Sequence, residues 1–233
     1  MNHFISLLPK NQSLEFTGSD KEKLYRKNYK RSSKDWIYRT KEIWYSYNEY
    51  GFREKSFDKL NWQNSIVMFG CSNVEGVGLA QEDTIAKQLE KIMQMPVINL
   101  GIGGSGIDIA CWNSTILHEH YPTPRAVVHV WSSLDRYTEL TKHGEITYTP
   151  AMSNYSYRLN WGYRSKRYVQ TDRALWKNKT AYYEATFSDD AAKELKIDFL
   201  DYKDYARDLL HPGIESAKAS AEKIAKNLGK QSL

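Results

Sequence analysis

Three short apolar runs constrain the fold of this chain more than any other feature: Ser65-Ile66-Val67-Met68-Phe69, Val97-Ile98-Asn99-Leu100 and Ala126-Val127-Val128-His129-Val130-Trp131. Each run is continuous rather than alternating, as expected of a strand covered on both faces. Between the first two, Ile85, Leu89, Ile92 and Met93 fall on one helical face, which Asp83 can cap and Pro96 stops. Between the second and third, Ser105 is expected to cap a helix carrying Ile109, Trp112, Ile116 and Leu117, with Asp108 three residues on as an acidic variant of the capping box. The order β-α-β-α-β predicts an α/β fold, a parallel sheet between two layers of helices.

The rest of the 233 residues is less periodic. Residues 138–196 read as an insertion or lid holding a short strand near 145–149, a short helix near 189–195 and many aromatic and basic side chains. The end is regular again, because Ile214, Ala217, Ala221, Ile224 and Leu228 form one helical stripe that Gly229 can terminate. One domain over 1–233 is expected, with residues 1–60 as a basic N-terminal extension.

Composition excludes several classes. A hydrophobic content of 41% with 17 Tyr and 7 Trp is not that of a disordered chain. No apolar run approaches a membrane span, so no membrane partner is expected. The opening MNHFISLLPKNQ lacks the basic region and small-residue cleavage pattern of a secretory signal. With two cysteines, Cys71 and Cys111, there is no disulfide framework, and a cytoplasmic setting is expected. The net charge of +5 is concentrated in 21–41; a solvated, partly helical flank is favoured there over a nucleic-acid contact.

In parallel α/β sheets chemistry sits in loops at the carboxyl ends of strands. Three such loops stand out: Gly70-Cys71-Ser72-Asn73-Val74-Glu75-Gly76, Gly101-Ile102-Gly103-Gly104-Ser105-Gly106 and Trp131-Ser132-Ser133-Leu134-Asp135-Arg136. The second matches the G-x-G-x-x-G pattern of dinucleotide sites, which also requires an acid about 20 residues on, at the end of the next strand. Glu119 lies ahead of that strand and Asp135 is too distant, so the fingerprint fails.

Together with Asp208-Leu209-Leu210-His211-Pro212-Gly213, these loops resemble the blocks of the SGNH, or GDSL-like, hydrolase family. The segment around Ser72 looks like the first block, Asn99-x-Gly101-x-x-Gly104 like the second and Asp208-x-x-His211-Pro212 like the last. Asn48-Glu49-Tyr50-Gly51-Phe52-Arg53 is similar to the N-x-x-G-F-R stretch ahead of the first block in many members. The run Ala206 to Gly213 is similar to forms in bacteriophage-borne members. The resemblance covers roughly 45–136 and 197–230. It implies a flavodoxin-like three-layer α-β-α fold and a serine hydrolase that needs no cofactor or metal.

In that reading Ser72 is the nucleophile, His211 the general base and then acid, and Asp208 the group that fixes the imidazole tautomer. The resemblance places backbone N–H groups of Ser72 and Gly104 in an oxyanion hole. Taken singly, Ser72 reads more often as a helix cap, Asp208 as a turn cap and His211 as the residue before a helix-opening proline. The chain departs from the family twice. Cys71 stands where the G-D-S-L form has Asp, and the third block lacks the Asn that supplies an oxyanion donor, leaving Ser132 or Ser133 to donate instead.

Other constellations carry less. His118-Glu119-His120 reads as polar surface rather than a metal site, and His129 as a hydrogen-bonded core histidine. Strand alternation would point Cys71 away from Ser72. Tyr155, Tyr157, Trp161, Tyr163, Tyr168, Trp176, Tyr182 and Tyr183, interleaved with Arg158, Arg164, Lys166, Arg167, Arg173, Lys177 and Lys179, suit either a ligand surface or a lid's own core. The expected activity is hydrolysis of a small polar ester, such as an O-acetylated carbohydrate, with a ligand-binding or acyl-transferring protein as the alternative and nucleic-acid binding third.

Overall fold

The computed structural model describes residues 4–141, 144–148, 155–229 and 231, with backbone alone at 139–141, 144–148 and 155–159. In chain order, β1 (Gln12–Leu14), α1 (Glu22–Arg31) and β2 (Tyr45–Tyr47) precede β3 (Ile66–Gly70) and α2 (Ser72–Glu75). Then come α3 (Ile85–Met93), β4 (Val97–Gly101), α4 (Ile107–His120), β5 (Ala126–Trp131), β6 (Tyr137–Thr141) and β7 (Gly144–Tyr148). The chain closes with α5 (Tyr155–Trp176), β8 (Ala181–Thr186), α6 (Asp189–Leu195), β9 (Asp198–Phe199) and α7 (Ile214–Gly229).

Five strands form the central sheet in the order β4-β3-β5-β8-β9, all parallel. The three apolar runs of the sequence are its first three strands. Successive residues face opposite layers, as the pleat dictates. Ile66, Met68, Val128 and Val130 join the core beneath α3 and α7, whereas Val67, Phe69, Val127 and Trp131 join the core beneath α4 and α5. Numbered within the sheet the order is 2-1-3-4-5, so the direction of winding reverses between β3 and β5 and leaves a crevice at their carboxyl ends.

The structure departs from the sequence expectations in places that share a cause. The described part of 138–196 is not an appended insertion: α5 runs 22 residues and packs against α4, and β8 is the fourth strand of the sheet. Trp176 is buried with its indole N–H donated to Ser114 Oγ at 2.7 Å, and Tyr183 is buried in the opposite core, while Tyr163 and Tyr168 stay exposed. Thr149 and the side chains of Tyr155, Tyr157 and Arg158 lie outside the described residues. Of the 1–60 segment, α1 carries the exposed basic residues, but Tyr38, Ile43, Tyr45 and Tyr47 enter one core and Phe4, Phe52 and Phe57 the other.

The helix starts shift by one residue. Thr84, not Asp83, caps α3 by accepting from Lys87 N. Gly106, not Ser105, is the N-cap of α4, because the Ser105 hydroxyl turns back to Ile102 O at 2.9 Å and Asp108 accepts from Thr138 N instead of closing a capping box. Ile92 and Trp112, placed on the buried stripes by periodicity, are exposed.

If α5 is part of the core, Trp176→Ala should destabilise the whole protein by about 3–5 kcal/mol, the range for truncating a buried large aromatic. Urea unfolding followed by far-UV circular dichroism measures it; a single transition shifted to lower urea is expected, and a wild-type midpoint would show that α5 is peripheral.

Candidate active site

The turn after β3 is held from several sides. Gly70 and Gly101 have no room for a Cβ, which would run into Val74 and Val130 O in one case and Glu75 N in the other. Asn99 donates from Nδ2 to Val74 O at 2.8 Å and accepts from Gly101 N at 2.9 Å, so the second-block asparagine ties β4 to the turn that carries Ser72. Asn48 Oδ1 accepts from Tyr50 N and Phe52 N at 3.0 Å, shaping a turn through Gly51, whose φ is +81°. That turn delivers Arg53 into the interior, where its guanidinium donates to Gly76 O and Leu79 O at 2.8 Å, Trp44 O at 2.9 Å and Glu75 O at 3.3 Å. Glu75 is fully buried and accepts from Tyr47 OH at 2.6 Å; burial pushes its carboxyl up against the opposing pull of that hydroxyl and of Arg53.

On the facing segment, Asp208 Oδ1 accepts from Leu210 N at 3.0 Å and His211 N at 3.1 Å, and Leu209 adopts φ +57° to close the turn. A left-handed leucine is a strained choice of the kind found at functional sites. Asp208 Oδ2 meets His211 Nδ1 at 2.6 Å and accepts from Ser19 Oγ at 2.7 Å. Burial alone would raise the Asp208 pKa, but the hydrogen bond and charge of His211, with the Leu210 N–H and the Ser19 hydroxyl, bring it below the ordinary carboxylate value. His211 Nε2 lies 2.8 Å from Ser72 Oγ. Ser72 and His211, 139 positions apart in sequence, are thus joined with Asp208 by two hydrogen bonds.

Ser19 is held in place by its neighbour Asp20. Asp20 is buried and accepts from Arg207 Nη2 at 2.8 Å, Arg207 Nε at 3.1 Å and Tyr45 OH at 2.6 Å. Arg207 also donates to Glu15 O at 2.5 Å and lies over the Phe16 ring, while its own carbonyl accepts from Asn28 Nδ2 at 3.1 Å. The segment from Glu15 to Asn28 is therefore fastened to the turn that carries Asp208 and His211.

Ser72 and His211 open onto a cleft of about 310 Å³ at the carboxyl ends of β3 and β5. Ser132, Ser133, Arg136 and Tyr202 also line it. Ser132 Oγ is buried and has no hydrogen-bond partner among the described residues. Gly104 sits apart from that lining, in an exposed turn with φ +80°. Cys71 does line the cleft, its Sγ 4.0 Å from Ser72 Oγ, because β3 ends at Gly70 and α2 begins at Ser72, so strand alternation does not relate the two side chains.

The remaining candidates fall outside this cleft. His118 contacts Lys179, His120 Nε2 stands 3.6 Å from Glu119, and among the described residues no His, Cys, Asp or Glu cluster could hold a metal ion. His129 is fully buried between Trp131 and Phe69, with Nε2 at 2.9 Å from the equally buried Asp172. Sequence reasoning missed Ser19 and the partners of Arg53 and Glu75; a Ser-Asp pair 189 positions from Asp208 gives no signal in the sequence.

No protein-family model and no curated protein matches the chain. Among solved structures, an acetyl xylan esterase from the rumen bacterium Butyrivibrio proteoclasticus shares 10% identity over 74% of this chain, with a TM-score of 0.48. A family two carbohydrate esterase from Clostridium thermocellum, in complex with cellohexaose, shares 12% over 73% with a TM-score of 0.47. This chain spans 65% of the length of each of those two. A member of the lipolytic protein G-D-S-L family from Veillonella parvula shares 12% over 70% of this chain and 96% of its own, with a TM-score of 0.45.

Removing one partner of a buried ion pair strands the other, so Asp20→Ala should cost about 3–5 kcal/mol in urea unfolding, well above Ser19→Ala; equal small losses would contradict the fastening role. Asp208, with its pKa lowered in the fold, stabilises at pH values above the ordinary carboxylate pKa, and this contribution disappears as pH falls through the lowered value. The stability gap between wild type and Asp208→Asn should therefore be widest near neutrality and narrow on acidification, and a gap constant from about pH 7 to about pH 3 would contradict the ionised Asp208.

Proposed function

We propose that the protein is a serine esterase that passes the acyl group of a small polar ester to Ser72 and then to water. The observation that carries this reading is the continuous contact from Ser72 Oγ to His211 Nε2 at 2.8 Å and from His211 Nδ1 to Asp208 at 2.6 Å, open to a cleft where the sheet reverses its winding. With Asp208 ionised, Nδ1 carries the imidazole proton and Nε2 presents a lone pair to the serine hydroxyl.

Ser72 Oγ attacks the ester carbonyl carbon as its proton passes to His211 Nε2. The resulting oxyanion collapses, the bond to the alcohol oxygen breaks, and that oxygen takes the proton from His211. Water then attacks the acyl-Ser72 ester, giving one proton to His211; serine recovers a proton as the acid leaves. Asp208 accepts from Nδ1–H throughout and stabilises the imidazolium. Ser72 begins α2, and a helix start leaves its first amides without intrahelical acceptors, so the Ser72 N–H is available to the oxyanion. Ser132, whose hydroxyl has no partner among the described residues, supplies a second donor in place of the family's asparagine. Gly104 is the third donor that the family resemblance proposes.

The polar lining, with Tyr202 as a ring surface, suits an O-acetylated carbohydrate better than a long acyl chain. The absence of an asparagine in the loop Trp131 to Asp135 favours a second reading, a site that binds its ester and turns it over slowly or passes the acyl group to another alcohol.

Release of p-nitrophenol from its acetate, with fluorophosphonate labelling in parallel, tests the proposal. Ser72→Ala and His211→Ala should each lower turnover by about 10³-fold or more and Ser72→Ala should abolish labelling. Ser132→Ala should lower kcat by roughly 10²–10³. Wild type that neither turns over nor labels across neutral and alkaline pH would overturn the esterase reading.

A further inference from the structure

We propose that Arg136 selects esters bearing an anionic group, a carboxylate, sulfate or phosphate, near the bond to be cut. The inference rests on the esterase reading and assigns the substrate class of the same cleft. Arg136 is the permanent cation of the lining, and no carboxylate residue lines the cleft beside it. Two acids behind the cleft are already engaged: Asp208 is buried behind His211 with four donors, and Glu75 is buried against Tyr47; Asp108, which lies with the Arg136 carbonyl around Gly106, accepts from Thr138 N. Among the described residues no ion pair involves Arg136, and its Nε is buried without a hydrogen-bond partner. A buried donor left unmet is unfavourable until a ligand oxygen reaches it.

The backbone of Arg136 is also fixed. The Arg136 N–H donates to Ser133 O at 3.2 Å, and the Arg136 carbonyl packs where Gly106 leaves room, so the turn that presents Ser132 and Ser133 also fixes the base of the arginine. Its planar fork matches two oxygens of one anion, which a neutral sugar hydroxyl does not offer. The overall charge of +5 favours the approach of such a substrate.

Two pairs of esters place the anion on either half of the substrate. For the alcohol half, 4-acetoxybenzoate is compared with methyl 4-acetoxybenzoate; for the acyl half, the mono(4-nitrophenyl) ester of adipic acid is compared with its methyl ester. Each kcat/KM is divided by the spontaneous hydrolysis rate. In at least one pair the anion should be preferred by about tenfold or more, through KM, and the preference should weaken with salt. Arg136→Gln should bring the ratio toward one, and Arg136→Lys should retain part of it. Ratios at or below one in both pairs overturn the proposal, as does a preference that survives in folded Arg136→Gln. Calorimetry on Ser72→Ala with both pairs separates this from the esterase reading. Tighter binding of the carboxylate in either pair supports Arg136 even where wild type neither turns over nor labels, and equal binding in both overturns it; if Arg136→Gln does not fold, the wild-type ratio and its salt dependence decide.

Discussion

The buried ion pair between Asp20 and Arg207 is the contact on which the site's geometry depends. Two charges removed from water lose several kcal/mol of hydration each, and their mutual attraction offsets this only when the remaining hydrogen-bonding capacity is also met. Here it is met: Tyr45 OH completes Asp20, and Glu15 O and the Phe16 ring complete Arg207. The pair stands between two residues of the site, since Ser19 precedes Asp20 and Asp208 follows Arg207. Fixing the pair therefore sets the Ser19 hydroxyl against Asp208 Oδ2 and leaves His211 as the outward partner of the carboxylate.

A second buried arginine does for the serine what Arg207 does for the histidine. Arg53 reaches the carbonyls that the short helix α2 leaves unsatisfied at its end, and it does so without an ion pair of its own among the described residues. Carbonyl acceptors accommodate a guanidinium fork without asking the protein to desolvate a carboxylate as well. The two clamps meet through Tyr45, whose hydroxyl donates to Asp20 and accepts from Gly78 N, and whose ring lies under Arg53. Displacement of the N-terminal arm would thus reach both halves of the Ser72–His211 contact.

How much of this was legible in the sequence follows from what each element buries. β3, β4 and β5 are covered on both faces, so their residues are apolar without interruption and stand out. β8 is equally central, yet reads as polar because Tyr182, Tyr183 and Glu184 satisfy their polar atoms on Asp172, Asp198, Trp131 and Arg173. Helix α5 hides its buried stripe, which includes Trp161, Val169 and Trp176, among cations that face solvent. Ser72, Asp208 and His211 were singled out by the resemblance of their segments to the family's blocks, and the structure joins them by hydrogen bonds. Ser19 was not, since its role comes only from the fold bringing residues 189 positions apart into contact.

The loop after β5 shows how a changed residue type alters the proposed chemistry without emptying the position. An asparagine amide presents its donors in a fixed plane, whereas a serine hydroxyl rotates and offers one proton. Ser132 is buried and finds no acceptor among the described residues, so its hydroxyl is poorly satisfied until an oxygen enters the cleft. Relief of that deficit favours the oxyanion over the neutral carbonyl to the extent that the extra charge strengthens the bond. A rotating donor must still be oriented in each turnover, and that orientation is what preorganised sites avoid. In the proposed esterase, Ser132 in place of an asparagine weakens oxyanion stabilisation while retaining it, so that proposal calls for a slow enzyme rather than an inert one.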